Sequence, residues 1–246
     1  MMLGLGLSLC SRGGAGSFDP ATLPLTGWWR DYAGSPWNGT ASAGASSGRV
    51  MSATSGPTTP ATITVDSHGG MSADGVGTFL REPTLTASSY FSASAYSIVM
   101  LVRPFAGNAP DVNRYVDQQL FAELSDLLGI SWTTSGVSAW HYDGTNFNGT
   151  AFKAAAASAF HMVAVTFSGG TLSCSVDNGT PATLSKNNVN NLTMTINLSR
   201  SRSAGTPTFC REDALELMLS DTALSAGNLT SIYSYFKTRY PSAGLP

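Results

Sequence analysis

The sequence predicts an all-β sandwich that ends in one short helix. Most of the chain, from about Phe18 onward, consists of short segments in which apolar residues alternate with polar ones, the period typical of strands. Turn residues, mainly Gly, Asn, Asp and Pro, separate these segments at short intervals, which favours a sandwich or a barrel over a parallel α/β sheet. The period changes to that of a helix only near the C-terminus.

The chain begins with a segment that is predicted to be an apolar arm. Within residues 1–17, four leucines alternate with glycine or serine and a glycine-rich stretch follows, which indicates a strand on a flexible joint. These leucines are Leu3, Leu5, Leu7 and Leu9. We interpret the arm as an assembly element that docks on another subunit; the alternative is that it folds back onto its own domain, residues 18–246.

The clearest strand predictions are an apolar run closed by a proline, two hairpins with short turns, and two alternating segments. They are Tyr96–Pro104, the hairpin of Gly129–Trp132 with Gly136–Tyr142, the hairpin of His161–Phe167 with Thr171–Val176, Leu192–Leu198, and Ala214–Leu219. In the last of these, strict alternation would put Leu215, Leu217 and Leu219 on one face.

The C-terminal segment is predicted to be an amphipathic helix packed on the sandwich. Ser225 is a suitable N-cap, and Pro241 ends the helical pattern. Between them, apolar and aromatic residues follow at helical spacing: Leu229, Ile232, Tyr233, Phe236 and Tyr240.

Composition excludes several classes of function. Charged residues make up 11% of the 246 positions, the net charge is −2, and Lys and Arg form no cluster, so the sequence predicts no nucleic-acid partner. No apolar run approaches the ~20 residues of a membrane span, so no membrane insertion is expected. The 42% hydrophobic content is enough for a sizeable core.

The cysteines offer no metal site and no cofactor is predicted. Cys10, Cys174 and Cys210 are widely separated, whereas zinc sites need ligands paired at short spacing. A Cys174–Cys210 disulfide and a set of free thiols both remain open, and free thiols are the favoured interpretation.

Several segments, in this order, resemble laminin-G-like and concanavalin-A-like jelly-roll domains. They are Ala73–Leu80, Tyr96–Pro104, Phe160–Leu172, Ser175–Gly179, and Ala214–Ser225 with the helix that follows. The resemblance covers roughly Phe18 to Tyr240 and implies a jelly-roll β-sandwich in which His161 is structural. Many such domains hold one Ca²⁺; here Asp74 is kept, but Gly77-Thr78 replaces the second aspartate, so no metal is predicted.

The start of the domain adds a more specific resemblance. The segment from Phe18-Asp19-Pro20 to Trp28-Trp29-Arg30 is similar to the start of such domains in tailed-bacteriophage structural proteins. This resemblance implies a virion component in the tail, the baseplate, the fibre or the capsid surface.

Catalysis is not expected from the carboxylates. Sandwich glycan hydrolases need two carboxylates flanking the scissile bond, supplied by alternate positions of one strand. Here Glu212 and Glu216 would share a face while Asp213 points to the other, so the pattern is displaced by one residue. No G-x-S-x-G elbow is present either. We therefore predict that the protein is not an enzyme.

A sugar-binding site is a candidate function for one strand and the loop after it. Sugar rings stack on aromatic faces while nearby amides and carboxylates bind their hydroxyls. The candidate residues are Trp140, Tyr142, Asp143, Asn146 and Asn148. The favoured alternative is that Trp140 belongs to the core and that the loop is only a turn.

The sequence therefore predicts a non-enzymatic structural or adhesion component of a phage-like virion. Its expected partners are other virion proteins and further copies of itself, with cell-surface glycan as an additional partner. A free-standing, secreted carbohydrate-binding lectin is the alternative, and a glycan hydrolase is the weakest hypothesis.

Overall fold

A computed structural model describes most of the chain from residue 18 to residue 246. The described residues are 18–40, 49–55, 63–74, 78–105, 118–123, 128–133, 136–145, 151–193, 195–201, 208–209 and 211–246. The predicted arm, with Leu3, Leu5, Leu7 and Leu9, lies outside them. So do Cys210 and the loop residues Asn146 and Asn148.

Within these ranges the chain forms eighteen strands, three short 3-10 turns and one α-helix. The elements are β1 Gly27–Arg30, β2 Trp37–Asn38, β3 Val50–Ser55, β4 Thr64–Val65, β5 Met71–Asp74, β6 Thr78–Thr86, β7 Ala95–Pro104, β8 Gln118–Glu123, β9 Leu128–Thr133, β10 Gly136–His141, β11 Ala151–Ala154, β12 His161–Ser168, β13 Thr171–Val176, β14 Ala182–Ser185, β15 Thr195–Leu198, β16 Arg200–Ser201, β17 Thr208–Phe209, β18 Arg211–Ser220 and α1 Ala226–Arg239.

Two eight-stranded antiparallel sheets form the sandwich. Sheet I has the order β14-β13-β12-β7-β18-β5-β4, with β1 also paired to β18, and sheet II has the order β11-β10-β9-β8-β15-β6-β3-β2. Side chains from both sheets meet in one inter-sheet core, which includes Trp29, Met100, Ile130, Val165 and Leu198. The predicted all-β, jelly-roll-like sandwich is confirmed.

Local sequence explains the hairpins of sheet I. Gly169 and Gly170 both have positive φ, 55° and 77°, which the two-residue turn between β12 and β13 requires. Asp177 and Asn178 adopt φ of 51° and 56° in the turn after β13. These two residue types tolerate this conformation better than most others, so both predicted turns form where expected.

The strand predicted over Leu192–Leu198 is shorter in the structure. Only Thr195–Leu198 forms β15. The Asn191 side-chain oxygen accepts hydrogen bonds from both the backbone N–H and the hydroxyl of Thr193, at 2.9 and 2.7 Å. Such local side-chain bonds compete with the sheet ladder, and residues 191–193 form no strand.

Helix α1 follows the sequence prediction and covers the outer face of sheet I. Ser225 caps it, since its hydroxyl oxygen accepts the Asn228 backbone N–H at 3.1 Å. The helix buries Ile232 and Phe236 in a second apolar cluster together with Trp28 and other side chains from the outer face of the sheet. No helix among the described residues is long and apolar enough to cross a membrane.

A bulge in β18 changes the faces predicted for its side chains. The pairing with β7 shifts register between Ala214 and Glu216, which inserts one extra residue. Leu217 and Leu219 face the inter-sheet core as expected, but Leu215 lies in the cluster under α1. The prediction of one shared face for the three leucines was wrong, because period two holds only on each side of the bulge.

Candidate functional site

Strand β10 directs Trp140 away from the core. Val137 and Ala139 of the same strand lie in the inter-sheet core, so the alternating position 140 points to the outer surface of sheet II. Trp140 is half-buried there. The favoured sequence interpretation, that Trp140 belongs to the core, is therefore wrong. Tyr142 follows two residues later on the same side, and its hydroxyl donates to the Gly144 carbonyl at 2.9 Å.

His141, between the two aromatic residues, points inward and anchors this end of the sandwich. Its ring packs edge-on against Phe167 at 4.6 Å between centroids. The Tyr96 hydroxyl donates to Nδ1 at 3.0 Å, and Nε2–H donates to the Asn187 carbonyl at 2.9 Å. Burial lowers the pKa of His141, which favours the neutral imidazole that this bonding pattern requires.

The residues 186–190, which we call the amide loop, lie beside the end of β10. Three backbone N–H groups fix this loop. That of Lys186 donates to the Gly170 carbonyl at 2.9 Å, and that of Val189 donates to the Ala93 carbonyl at 2.9 Å. The third, from Asn190, donates to the Tyr142 carbonyl at 3.0 Å. The His141 bond adds a fourth attachment, so the loop backbone is held on several sides.

The amide loop and Asp143 border an open depression of about 660 Å³. Besides Asp143, it is lined by Ala93, Gly170, Lys186, Asn187, Asn188, Val189 and Asn190. The side chains of Asn187, Asn188 and Asn190 are exposed. Asp143 is held in a local turn in which one carboxylate oxygen accepts the Thr145 N–H at 2.9 Å. The depression therefore presents amides and charged groups from a fixed backbone.

The structure thus assembles part of the predicted site and adds a loop that sequence reasoning missed. Trp140 lies on the outer face of β10, and Tyr142 and Asp143 follow the strand, where the Tyr142 carbonyl bonds to the amide loop and Asp143 borders the depression. The amide loop is 44 residues further along the chain than Tyr142. Its sequence signal is the Lys-Asn-Asn-Val-Asn-Asn run between β14 and β15, an unusual density of amides.

The carboxyl groups of Glu212 and Glu216 in β18 do not point into a common site. Glu212 faces the space between the sheets, where its Oε1 accepts the Ser199 hydroxyl at 2.5 Å, and burial raises its pKa. After the bulge, Glu216 faces the opposite side, under α1, where its Oε1 accepts Trp28 Nε1–H at 2.5 Å. Both side chains are fully buried. The expectation that the two glutamates share a face was wrong, because the bulge separates them.

Two further kinds of chemical site were considered in the sequence, a cysteine thiol and a metal site. Cys174 is a free, buried thiol, and burial raises its pKa to about 12. Among the described residues, no group of three His, Cys, Asp or Glu side chains is placed to hold a metal ion.

Comparison with known proteins establishes the fold but not a family. No protein-family model matches the sequence, and no match was found among curated proteins. Trypanosoma rangeli sialidase in complex with 2,3-difluoro-KDN is similar in structure over 88% of this chain, with a TM-score of 0.63 and 16% identity. The binding domain of botulinum neurotoxin serotype D/C is similar over 86% of it, with a TM-score of 0.60 and 8% identity.

The chain spans only part of the length of these structures. It covers 33% of the sialidase chain and 52% of the toxin binding-domain chain. At these identities the similarity shows a shared β-sandwich fold, in agreement with the strand order described above.

Proposed function

We propose that this protein is a non-enzymatic adhesion module that binds carbohydrate at the end of β10. The observation that carries the proposal is the open depression formed by the amide loop and Asp143 at the end of β10, where the Tyr142 carbonyl accepts the Asn190 N–H at 3.0 Å. Trp140 lies on the outer face of the same strand, so an aromatic surface and several amide groups occur near the same end of β10.

The chemistry of this surface suits a polyhydroxylated ligand. Aromatic rings stack on the apolar faces of sugars, and side-chain amides both donate to and accept from hydroxyl groups. Because the amide loop is already fixed by backbone bonds, ligand binding would order few further groups, which lowers the entropic cost of association. The opposite charges of Asp143 and Lys186 favour a neutral sugar over a strongly charged one.

The absence of catalysis belongs to the same proposal. Hydrolysis of a glycosidic bond requires two carboxyl groups on either side of the substrate. Glu212 and Glu216 lie on opposite faces of β18, each enclosed by protein, and this separation supports a binding rather than a hydrolytic role.

The setting we propose is a phage-like virion, in which the module contacts other virion proteins, further copies of itself and host-cell glycan. The resemblance of residues 18–30 to the start of phage structural domains supports it. The solved structures that share the fold include a sialidase in complex with sialic acid and a toxin binding domain, which agrees with a surface-recognition role.

Deletion of residues 1–16 tests the assembly role. The truncated sandwich should stay folded but fail to enter its particle, and normal incorporation would contradict the assembly role.

A glycan array tests the carbohydrate site. Wild type should be retained on neutral glycans, and Trp140→Ala should weaken binding about tenfold, equivalent to about 1.4 kcal/mol. Asn188→Ala should weaken it as well. Tyr233→Ala is the matched control, because Tyr233 is a half-buried aromatic residue of α1 on the opposite sheet. Wild type that binds no glycan, or equal losses in Trp140→Ala and the control, would contradict the proposal.

A further inference from the structure

A cleft beside α1, far from the amide loop, has the composition of a second ligand site. It has a volume of about 460 Å³ and lies between the residue that begins the described chain and the C-terminal half of the helix. Its lining residues are Phe18, Ser234, Tyr235, Thr238 and Arg239. We call it the Phe18 cleft. Its size is in the range of small-molecule sites in proteins.

The hydroxyl groups of the cleft are arranged as acceptors. Ser234 donates its hydroxyl to the Thr230 carbonyl at 3.0 Å, and Thr238 donates to the Ser234 carbonyl at 3.0 Å. Because each donor is used within the helix, the hydroxyl oxygens keep lone pairs for hydrogen bonds from a ligand. Such acceptors match the hydroxyl groups of a sugar, and Phe18 and Tyr235 supply rings against which a sugar can pack.

Behind the cleft lies the fully buried carboxyl group of Glu216. Its Oε2 accepts the Tyr240 hydroxyl at 2.9 Å and the Tyr235 hydroxyl at 3.4 Å. Arg239 Nε lies 3.7 Å from the same oxygen. Tyr235 and Arg239 therefore contact Glu216 on one side and line the cleft on the other.

The charges around the cleft are balanced only when Glu216 is ionised. Among the residues that the structure describes, the charged groups nearest to Glu216 are the cations Arg30 and Arg239 and the anion Asp31, which accepts from Arg239 at 2.5 Å. From β7, the residue paired with Glu216 is the apolar Leu101. With Glu216 protonated, the two guanidinium groups exceed the single exposed carboxylate by one positive charge. Burial raises the pKa of Glu216 to about 7, so both states are populated near neutral pH.

We propose that the Phe18 cleft binds a sugar that carries a carboxylate, such as a uronic acid, and that Glu216 takes up a proton when it binds. The carboxylate lies against the Arg239 guanidinium, which suits carboxylates in charge and planarity. The sugar ring packs against Phe18 and its hydroxyls donate to the helix hydroxyls. The proton moves from solvent to the Glu216 carboxylate, because two anions on either side of Arg239 repel each other. This site is independent of the carbohydrate site at β10.

Isothermal titration of the full chain with glucuronate tests the proposal, with glucose as the neutral control. Affinity for glucuronate should be at least about fivefold higher at pH 6 than at pH 8, the lower end of typical coupling between two sites. Titrations at pH 7 in buffers of different ionisation enthalpy should show net proton uptake. Glucose should bind weakly and without dependence on pH.

Variants separate the parts of the site. Glu216→Gln keeps a buried side chain of the same shape and should bind glucuronate equally well at both pH values. Arg239→Gln should lose binding, while Arg239→Lys, which keeps the charge, should retain part of it. Lys237→Gln is the control, because Lys237 is a cation of α1 that does not line the cleft. Circular dichroism confirms that each variant is folded.

Three results would overturn the inference: no glucuronate binding to wild type at pH 6, equal affinity for glucose, or an unchanged pH dependence in Glu216→Gln. Because Trp140→Ala leaves the Phe18 cleft intact, glucuronate binding should persist in that variant. The two sites can therefore fail or succeed separately.

Discussion

Two tryptophans on neighbouring strands provide a direct test of how sheet II is oriented. Trp132 on β9 lies in the inter-sheet core and is 3% exposed. Trp140 on β10 is paired with Gly129 of β9 and points to the opposite, outer face. The substitutions Trp132→Ala and Trp140→Ala thus remove the same side chain from adjacent strands but from different surroundings.

The expected losses differ severalfold. Truncation of a core tryptophan leaves a cavity and typically costs about 3–5 kcal/mol. Trp140 creates no enclosed cavity when it is removed, so Trp140→Ala should cost about 1–2 kcal/mol. For a domain of this length, each kcal/mol lowers the melting temperature by about 2–4 °C.

Urea unfolding followed by far-ultraviolet circular dichroism measures both free energies without relying on tryptophan fluorescence. The variants should unfold with similar dependence on urea but with midpoints lowered by different amounts. If Trp140→Ala were as destabilising as Trp132→Ala, the outward orientation of Trp140 would be refuted, and the carbohydrate site would lose its aromatic surface.

Three further perturbations follow from single contacts. Burial disfavours the charged form of His161, but its hydrogen bond to Asp177 at 2.6 Å outweighs burial and raises the His161 pKa. The pair should therefore stabilise the fold below pH ~6.5, and this stabilisation should be lost as the pH rises through the folded-state pKa. In urea titrations His161→Gln should therefore cost more stability at pH 5.5 than at pH 8.5, and an equal cost would contradict the ion pair. Gly70→Ala should lower the free energy of unfolding by about 1–3 kcal/mol, because the added Cβ would lie 2.5 Å from a backbone carbonyl oxygen of the β18 bulge. Gly227→Ala, on the open surface of α1, should not lower the free energy of unfolding. For Glu216 the raised pKa means that folding stability falls as the pH rises from 4.5 to about 7, and Glu216→Gln should remove this part of the pH dependence of the unfolding free energy.

Patterns within one element were sufficient for much of the fold. Gly169-Gly170 and Asp177-Asn178 fix hairpin turns because their preferred backbone conformations are those that the turns need. Ser225 and Pro241 mark the bounds of the last helix for equally local reasons. The strands of both predicted hairpins accordingly form within a residue or two of the expected positions.

Which face of a strand is buried depends on residues that are distant in the sequence. A two-residue period shows that alternate residues share a face, but it does not show which face packs against the second sheet. That ambiguity explains why the sequence favours a core position for Trp140, although the structure places it on the outer face. In β18, the bulge reverses the phase within a single strand, and it separates Glu216 from Glu212 although the local sequence places them on one side.

The sequence by itself determined that this chain folds as a β-sandwich with a C-terminal helix, because alternation, turn residues and helix caps act between neighbours along the chain. Only the tertiary structure decided where its candidate sites lie. Asn190 of the amide loop bonds to Tyr142 through one backbone hydrogen bond across 48 residues, and Glu216 accepts from Trp28 across 188 residues. Such contacts arise when the two sheets and the helix bury their apolar faces together, and no local period encodes which distant side chains that packing brings into contact.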